Sequence, residues 1–136
     1  MDIGIVARRT GLAASAIRYY EEQGLLGSVL RGDNGRRRYT SEHIERLTFI
    51  QNCRETGMSL DEVGNLLSLT GGTRQPCPEA KKIVDRHLER LRSQLAQMQS
   101  FLAKLEDFSV ACTPESCGPG TPQCTIFTGL GGGLNG

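Results

Sequence analysis

The 136-residue chain has no tryptophan, and aromatic residues make up only 5% of it. That is lean for a self-sufficient globule, so part of the core is expected to be shared with a partner chain. No run approaches the roughly 20 apolar residues of a membrane helix, which excludes a spanning segment. The opening stretch MDIGIVARRTGLAAS lacks the apolar core of a secretory leader, and a cytoplasmic chain is expected. Thiols stay reduced in that compartment. The five cysteines, an odd number, therefore read as ligands, redox groups or core residues rather than disulfides. There is no His–carboxylate–nucleophile grouping, no phosphate-binding glycine loop and no metal-binding His pair, so no enzyme is expected. An excess of charge of either sign is also missing: 16 Lys+Arg stand against 15 Asp+Glu, a net charge of +1. Such balance argues against a nucleic-acid partner until the positions of the charges are considered.

What is present falls into three parts, residues 1–70, 71–108 and 109–136. In the first, Ile3, Val6 and Ala7 share a helical face and Thr10-Gly11-Leu12 reads as a tight turn. Ser15 to Gln23 is expected to form a second helix stopped by Gly24, giving a helix-turn-helix outline. Asp33-Asn34-Gly35 then marks a turn between Ser28–Arg31 and Arg36–Tyr39, which can pair as a hairpin. A hairpin in that place is a wing. Ser41 is expected to cap a third helix carrying Leu47, Ile50 and Cys53 and ending at Gly57. Ser59-Leu60-Asp61-Glu62 opens a fourth with a capping box.

The position of the charges reverses the first impression of balance. Arg31, Arg36, Arg37 and Arg38 are opposed locally only by Asp33, and Arg18 sits on the second helix beside Tyr19 and Tyr20. Guanidinium groups on a wing can reach phosphates, and a helix can enter a major groove. DNA binding is therefore expected, with the acidic residues placed elsewhere.

Val84, Leu88, Leu91, Leu95, Met98, Leu102 and Leu105 follow one another in alternating four- and three-residue steps, flanked by Ile83 and Phe101. This narrow apolar stripe with charged flanks predicts a two-stranded coiled coil and a homodimer. Cys53 reads as a small core residue. Cys77 precedes Pro78 and is expected to cap the long helix, where the partial positive charge suits a thiolate, the form a metal ligates. Cys112, Cys117 and Cys124 lie in VACTPESCGPGTPQCTIF, a turn-rich stretch suited to wrapping a soft cation with sulfur alone. His43 and His87 are expected on helix surfaces, outside the ligand set. A straight helix from Pro78 to Phe108 would be about 45 Å long, too long for Cys77 and Cys112 to meet in one chain. An antiparallel partner would bring Cys77 of one chain to the loop of the other.

Together, IGIVARRTGLAASAIRYYEEQGLL, RGDNGRRRYT and ERLTFIQNCRETGMSLDEV resemble the DNA-binding head of the MerR family of transcription activators, and the likeness extends over about residues 1–108. It implies a mainly α fold: a winged helix-turn-helix head, a long antiparallel coiled-coil dimerisation helix and a C-terminal metal-binding loop. It implies that Arg18, Tyr20, Arg31, Arg37 and Tyr39 contact double-stranded promoter DNA, at which the dimer acts on RNA polymerase by untwisting and bending the duplex. Arg36 stands where relatives commonly have Tyr, exchanging a packing residue for a charge.

The resemblance also bears on the metal. In divalent-metal sensors of the family, a Cys at the start of the dimer helix joins two Cys of the partner's loop. Copper(I)- and silver-type relatives tend to have Ser at the Cys77 position. Cys77 thus implies a soft divalent effector, Cd2+, Pb2+, Zn2+ or Hg2+, and activation of metal-resistance genes. Position along the helix matches Cys112 to the first loop ligand, whereas the Cys117–Cys124 segment resembles the loop of cadmium/lead-type relatives. Either or both of Cys112 and Cys117 are thus candidates beside Cys77 and Cys124. A Cu(I)/Ag(I) sensor and an iron–sulfur redox sensor are the alternatives.

Overall fold

The computed structural model describes residues 1–71, 76–112 and 125–130. The chain divides into two compact units, Met1–Asp85 and Arg86–Gly136.

The first unit opens with α1 (Ile3–Thr10), capped by Asp2, whose Oδ1 accepts the Ile5 N–H at 3.0 Å. Gly11 ends it in the left-handed region (φ 76°), a conformation open to glycine at no steric cost. The helix α2 (Ala14–Glu22) follows, and Gly24 (φ 77°) stops it as the Leu25 N–H reaches back to the Tyr20 carbonyl at 3.0 Å. The turn between the two is tied down from a distance by Gln51, which donates to the Thr10 carbonyl at 3.0 Å.

The wing is shorter than the sequence suggests. Strands β1 (Leu30–Arg31) and β2 (Arg37–Arg38) pair antiparallel as Leu30↔Arg38 and Arg31↔Arg37. Ser28 and Val29 leave the hairpin because the Ser28 carbonyl turns to the ring of His43. Tyr39 pairs instead with the chain start, its N–H donating to the Met1 carbonyl at 2.7 Å. The turn closes with Gly35 N–H to Gly32 O at 2.9 Å, Gly35 at φ 76°, and the Asn34 side chain accepting the Arg36 N–H at 3.0 Å.

Helix α3 (Ser41–Glu55) is capped by Thr40, one residue before the expected Ser41, and the third residue of its capping box is His43. His43 is a second departure. It is 7% exposed, not a surface residue: Nδ1 accepts the Thr40 N–H at 2.9 Å, so Nε2 carries the proton and donates to Ser28 O at 2.9 Å. Helix α4 (Leu60–Ser68) has the expected box of Ser59 and Glu62. Val6, Ile17, Leu26, Tyr39, Leu47, Ile50 and Val63 form the centre of the core, and Ala80 and Ile83 pack against it from the next helix.

That helix, α5 (Cys77–Ala111), has 35 residues, about 52 Å at the usual rise. The stripe from Val84 to Leu105 is exposed, between 36% at Leu91 and 66% at Met98. Ile83, expected to flank the stripe, is partly buried and packs against the head core. His87 is buried as well, 5% exposed with Nδ1 2.7 Å from an Arg90 guanidinium nitrogen, which corrects its surface placement. In the second unit α6 (Thr125–Leu130) packs against the end of α5: a Cβ at Gly129 would collide with the Phe108 ring. Among the described residues no helix is long and apolar enough to cross a membrane.

Candidate functional site

Three elements of the first unit converge on one cleft. The start of α1, Arg18 of α2 and the wing enclose about 480 Å³, lined by Arg18, Arg31, Arg36 and Arg37 with Asp2 as the acidic counterpart. Arg18 and Arg36 are exposed. Arg31 is exposed too, and its guanidinium donates to the Gly35 carbonyl at 2.9 Å, steadying the turn. Arg38 points away on the opposite side of the hairpin and lines a separate cavity with Arg46 and His43. A cleft with several guanidinium groups and an adjoining exposed helix face is suited to a polyanion of regular shape.

The other expected DNA contacts are placed differently. Tyr39 is 2% exposed, with its hydroxyl donated to Glu21 Oε2 at 3.0 Å and its ring edge-on to His43. Such a side chain cannot reach a duplex, so the expectation of a direct contact gives way to a part in seating the wing. Burial, the hydrogen bond to Glu21 and the Glu21 charge push its pKa from 10.0 up to about 12, against an opposing pull from Arg37 and Arg18. Tyr20 is half-buried against the core, whereas Tyr19, its neighbour, is 47% exposed. Arg37 is drawn inward by Glu21, its Nε 2.7 Å from Oε2 in an ion pair that is not an aligned hydrogen bond.

Two residues escaped the sequence reading. Tyr19 was detectable, since helical spacing puts Tyr20 with Ile17 inside and Tyr19 with Ser15 outside. Glu21 had no such signal, because its partners lie 16 and 18 residues away and meet it only in the fold.

The candidate thiolates are spread along the chain. Cys77 is exposed at the first residue of α5, and Cys112 is half-buried just past its last turn, with its N–H facing the Phe108 carbonyl at 3.1 Å. Cys117 and Cys124 lie outside the described residues. Among the described residues no cluster of His, Cys, Asp and Glu gathers to hold a metal. Cys53 packs half-buried against the head core, and burial pushes its thiol pKa up, which disfavours the thiolate form a soft metal needs.

Comparison with known proteins decides the family. The MerR HTH family regulatory protein domain matches residues 1–70, and the MerR DNA-binding domain matches residues 44–108. The chain belongs to the MerR family. Like its relatives, this MerR protein is a transcriptional regulator and not an enzyme. It is 34% identical over 132 residues to a probable heavy metal-dependent transcriptional regulator of Haemophilus influenzae, covering 97% of this chain and all of the relative. It is 33% identical to the regulator CueR of Salmonella typhimurium, over 97% of this chain and 93% of that one. The crystal structure of PbrR691 from Ralstonia metallidurans in complex with lead(II) superposes with a TM-score of 0.79 at 29% identity, over 96% and 98% of the two chains. Both family matches end by residue 108, so Cys112, Cys117 and Cys124 of this MerR regulator lie beyond them.

Proposed function

We propose that the chain is a metal-responsive transcriptional regulator that binds double-stranded promoter DNA as a homodimer and activates transcription of metal-resistance genes. Residues 1–70 serve as the DNA-binding head, 71–108 as linker and dimerisation helix, and 109–136 as metal-binding loop and tail. Arg18, Arg31 and Arg36 reach phosphates or base edges from the cleft, with Tyr19 exposed on the same helix as Arg18 and Tyr20 half-buried behind it.

One observation carries the reading: α5 exposes an apolar stripe along most of its length and has a cysteine at each end. An antiparallel partner would cover the stripe and bring Cys77 of one chain beside Cys112, Cys117 and Cys124 of the other. The donor set is all sulfur, which fits a soft ion, and more than two thiolates fit a divalent one, Cd2+, Pb2+, Zn2+ or Hg2+. A metal bound there ties together the ends of two chains, and through α5 it biases the spacing of the two heads on the duplex. RNA polymerase then reads the altered duplex. The relatives support this reading: one is named for heavy-metal dependence and another was solved with lead(II).

The test is promoter transcription with purified polymerase. Cys77→Ser should abolish induction by Cd2+, Pb2+, Zn2+ and Hg2+ while operator binding persists. Full induction of that variant by a divalent ion contradicts the ligand assignment. Induction by Cu(I) or Ag(I) alone would favour the two-thiolate reading.

A further inference from the structure

A hairpin with two-residue strands has too little pairing to hold its own angle against the rest of a domain. Something else must fix the wing. Side chains alternate along β2 and its continuation, so Arg37 and Tyr39 turn to one side while Arg38 turns to the other. On the inner side both meet the same carboxylate: Glu21 Oε2 lies 2.7 Å from Arg37 Nε and 3.0 Å from the Tyr39 hydroxyl. The side chains of Glu21 and Arg37 are only 19% and 29% exposed, and Tyr39 is buried.

We infer that Glu21 is a positioning residue for DNA recognition, a carboxylate on α2 that fixes the wing through Arg37 and Tyr39 and withholds Arg37 from the phosphates. The inference rests on the reading of the head as a DNA-binding surface. Its consequence is a division of labour among arginines that look alike in sequence. Arg18, Arg31 and Arg36 bring charge to the duplex. Arg37 is a strut whose charge is already balanced, and a balanced cation releases few counterions from DNA. The angle between α2 and the wing decides whether both can engage one duplex at once, so the clamp acts on selectivity. Tyr39 reflects the same arrangement, since its burial, with the hydrogen bond and charge of Glu21, raises the pKa of its phenol.

The experiment uses the full-length protein and a 30-bp duplex that it selects from a random pool, with a scrambled duplex of equal length for comparison. Affinities for both are measured from low to high salt, well below the melting temperature. Arg37→Gln, Glu21→Gln and the double variant should each lower the selected-to-scrambled affinity ratio about tenfold, with the double no worse than the singles. A loss of folded protein alone would weaken both duplexes equally and leave that ratio unmoved. Arg37→Gln should keep the wild-type salt slope. Arg36→Gln should flatten it by about 1.8, from about 0.9 per phosphate contact in each of two protomers. A comparable flattening by Arg37→Gln, or an unchanged affinity ratio in Glu21→Gln, overturns the inference. Failure of the wild-type protein to select any duplex refutes the DNA-binding reading itself, and the inference with it.

Discussion

Replacing His43 with alanine probes how the wing loop is attached to α3. The ring is 7% exposed and satisfies two backbone groups at once, the Thr40 N–H and the Ser28 carbonyl, each at 2.9 Å. Truncation leaves both without their partner. An unsatisfied buried group costs roughly 1–3 kcal/mol, and the lower end applies because Thr40 is exposed enough for water to enter. Loss of packing on Tyr39, 5.8 Å away edge-on, adds a smaller amount. The total is about 3 kcal/mol, which for a head of this size is a fall of roughly 12–24 °C in melting temperature. His43→Gln separates the two bonds. Glutamine at the third helical position can still accept the Thr40 N–H, as in an ordinary capping box, and so should recover about a third to a half of the loss. Thermal melts followed by circular dichroism at 222 nm read both variants. A His43→Ala melt within about 3 °C of wild type would refute the reasoning, since it would mean that neither backbone group depends on the ring.

Three further outcomes follow from the same structure. Because folding raises the Tyr39 pKa from 10.0 to about 12, its protonated form adds stability that is complete below pH 10 and is lost as the pH climbs through about 12. A phenolate titration at 295 nm should show that late component, and Tyr39→Phe should lack it. Leu95→Ser with Leu102→Ser removes two residues, each 57% exposed in the single chain, from both sides of the expected seam. At about 1–1.5 kcal/mol for each of four leucines the dimer should weaken by about three to four orders of magnitude, read by sedimentation equilibrium. Gly129→Ala places a Cβ in the Phe108 ring, and overpacking of about 1–3 kcal/mol should release α6, seen as faster hydrogen exchange over residues 125–130.

Much of the fold was legible because its signals are local. Gly24 and Gly57 take the left-handed conformations expected where helices stop, Ser59 and Glu62 form their capping box, and the heptad stripe marks α5 to within a few residues. The misses share a cause. His43, His87 and Tyr39 carry polar atoms that suggest a surface, yet each is buried, and His43 and Tyr39 find partners on other segments that no local pattern announces. Arg37 looked the same as Arg36 because a cluster of like charges does not say which member faces inward. The wing was read too long since alternation cannot tell whether Ser28 pairs with a strand or with a histidine. At the thiolate site the chain positions of Cys77 and Cys112 at the two ends of α5 were readable from Pro78 and the helix length. That the two meet across an antiparallel partner is an expectation drawn from the same helix length, since α5 holds them at opposite ends of one chain.

That meeting is the central claim, and mixed dimers test it most directly. Cys77→Ser protein keeps its loop, and protein with Cys112, Cys117 and Cys124 all changed to Ser keeps Cys77. Each variant alone should bind no divalent ion at the high-affinity site. When the two are unfolded together, refolded and the heterodimer is isolated by differential tags, one complete site per dimer should return, counted by Cd2+ titration of the thiolate charge-transfer band. Heterodimers as silent as the two parents would contradict a site shared between chains.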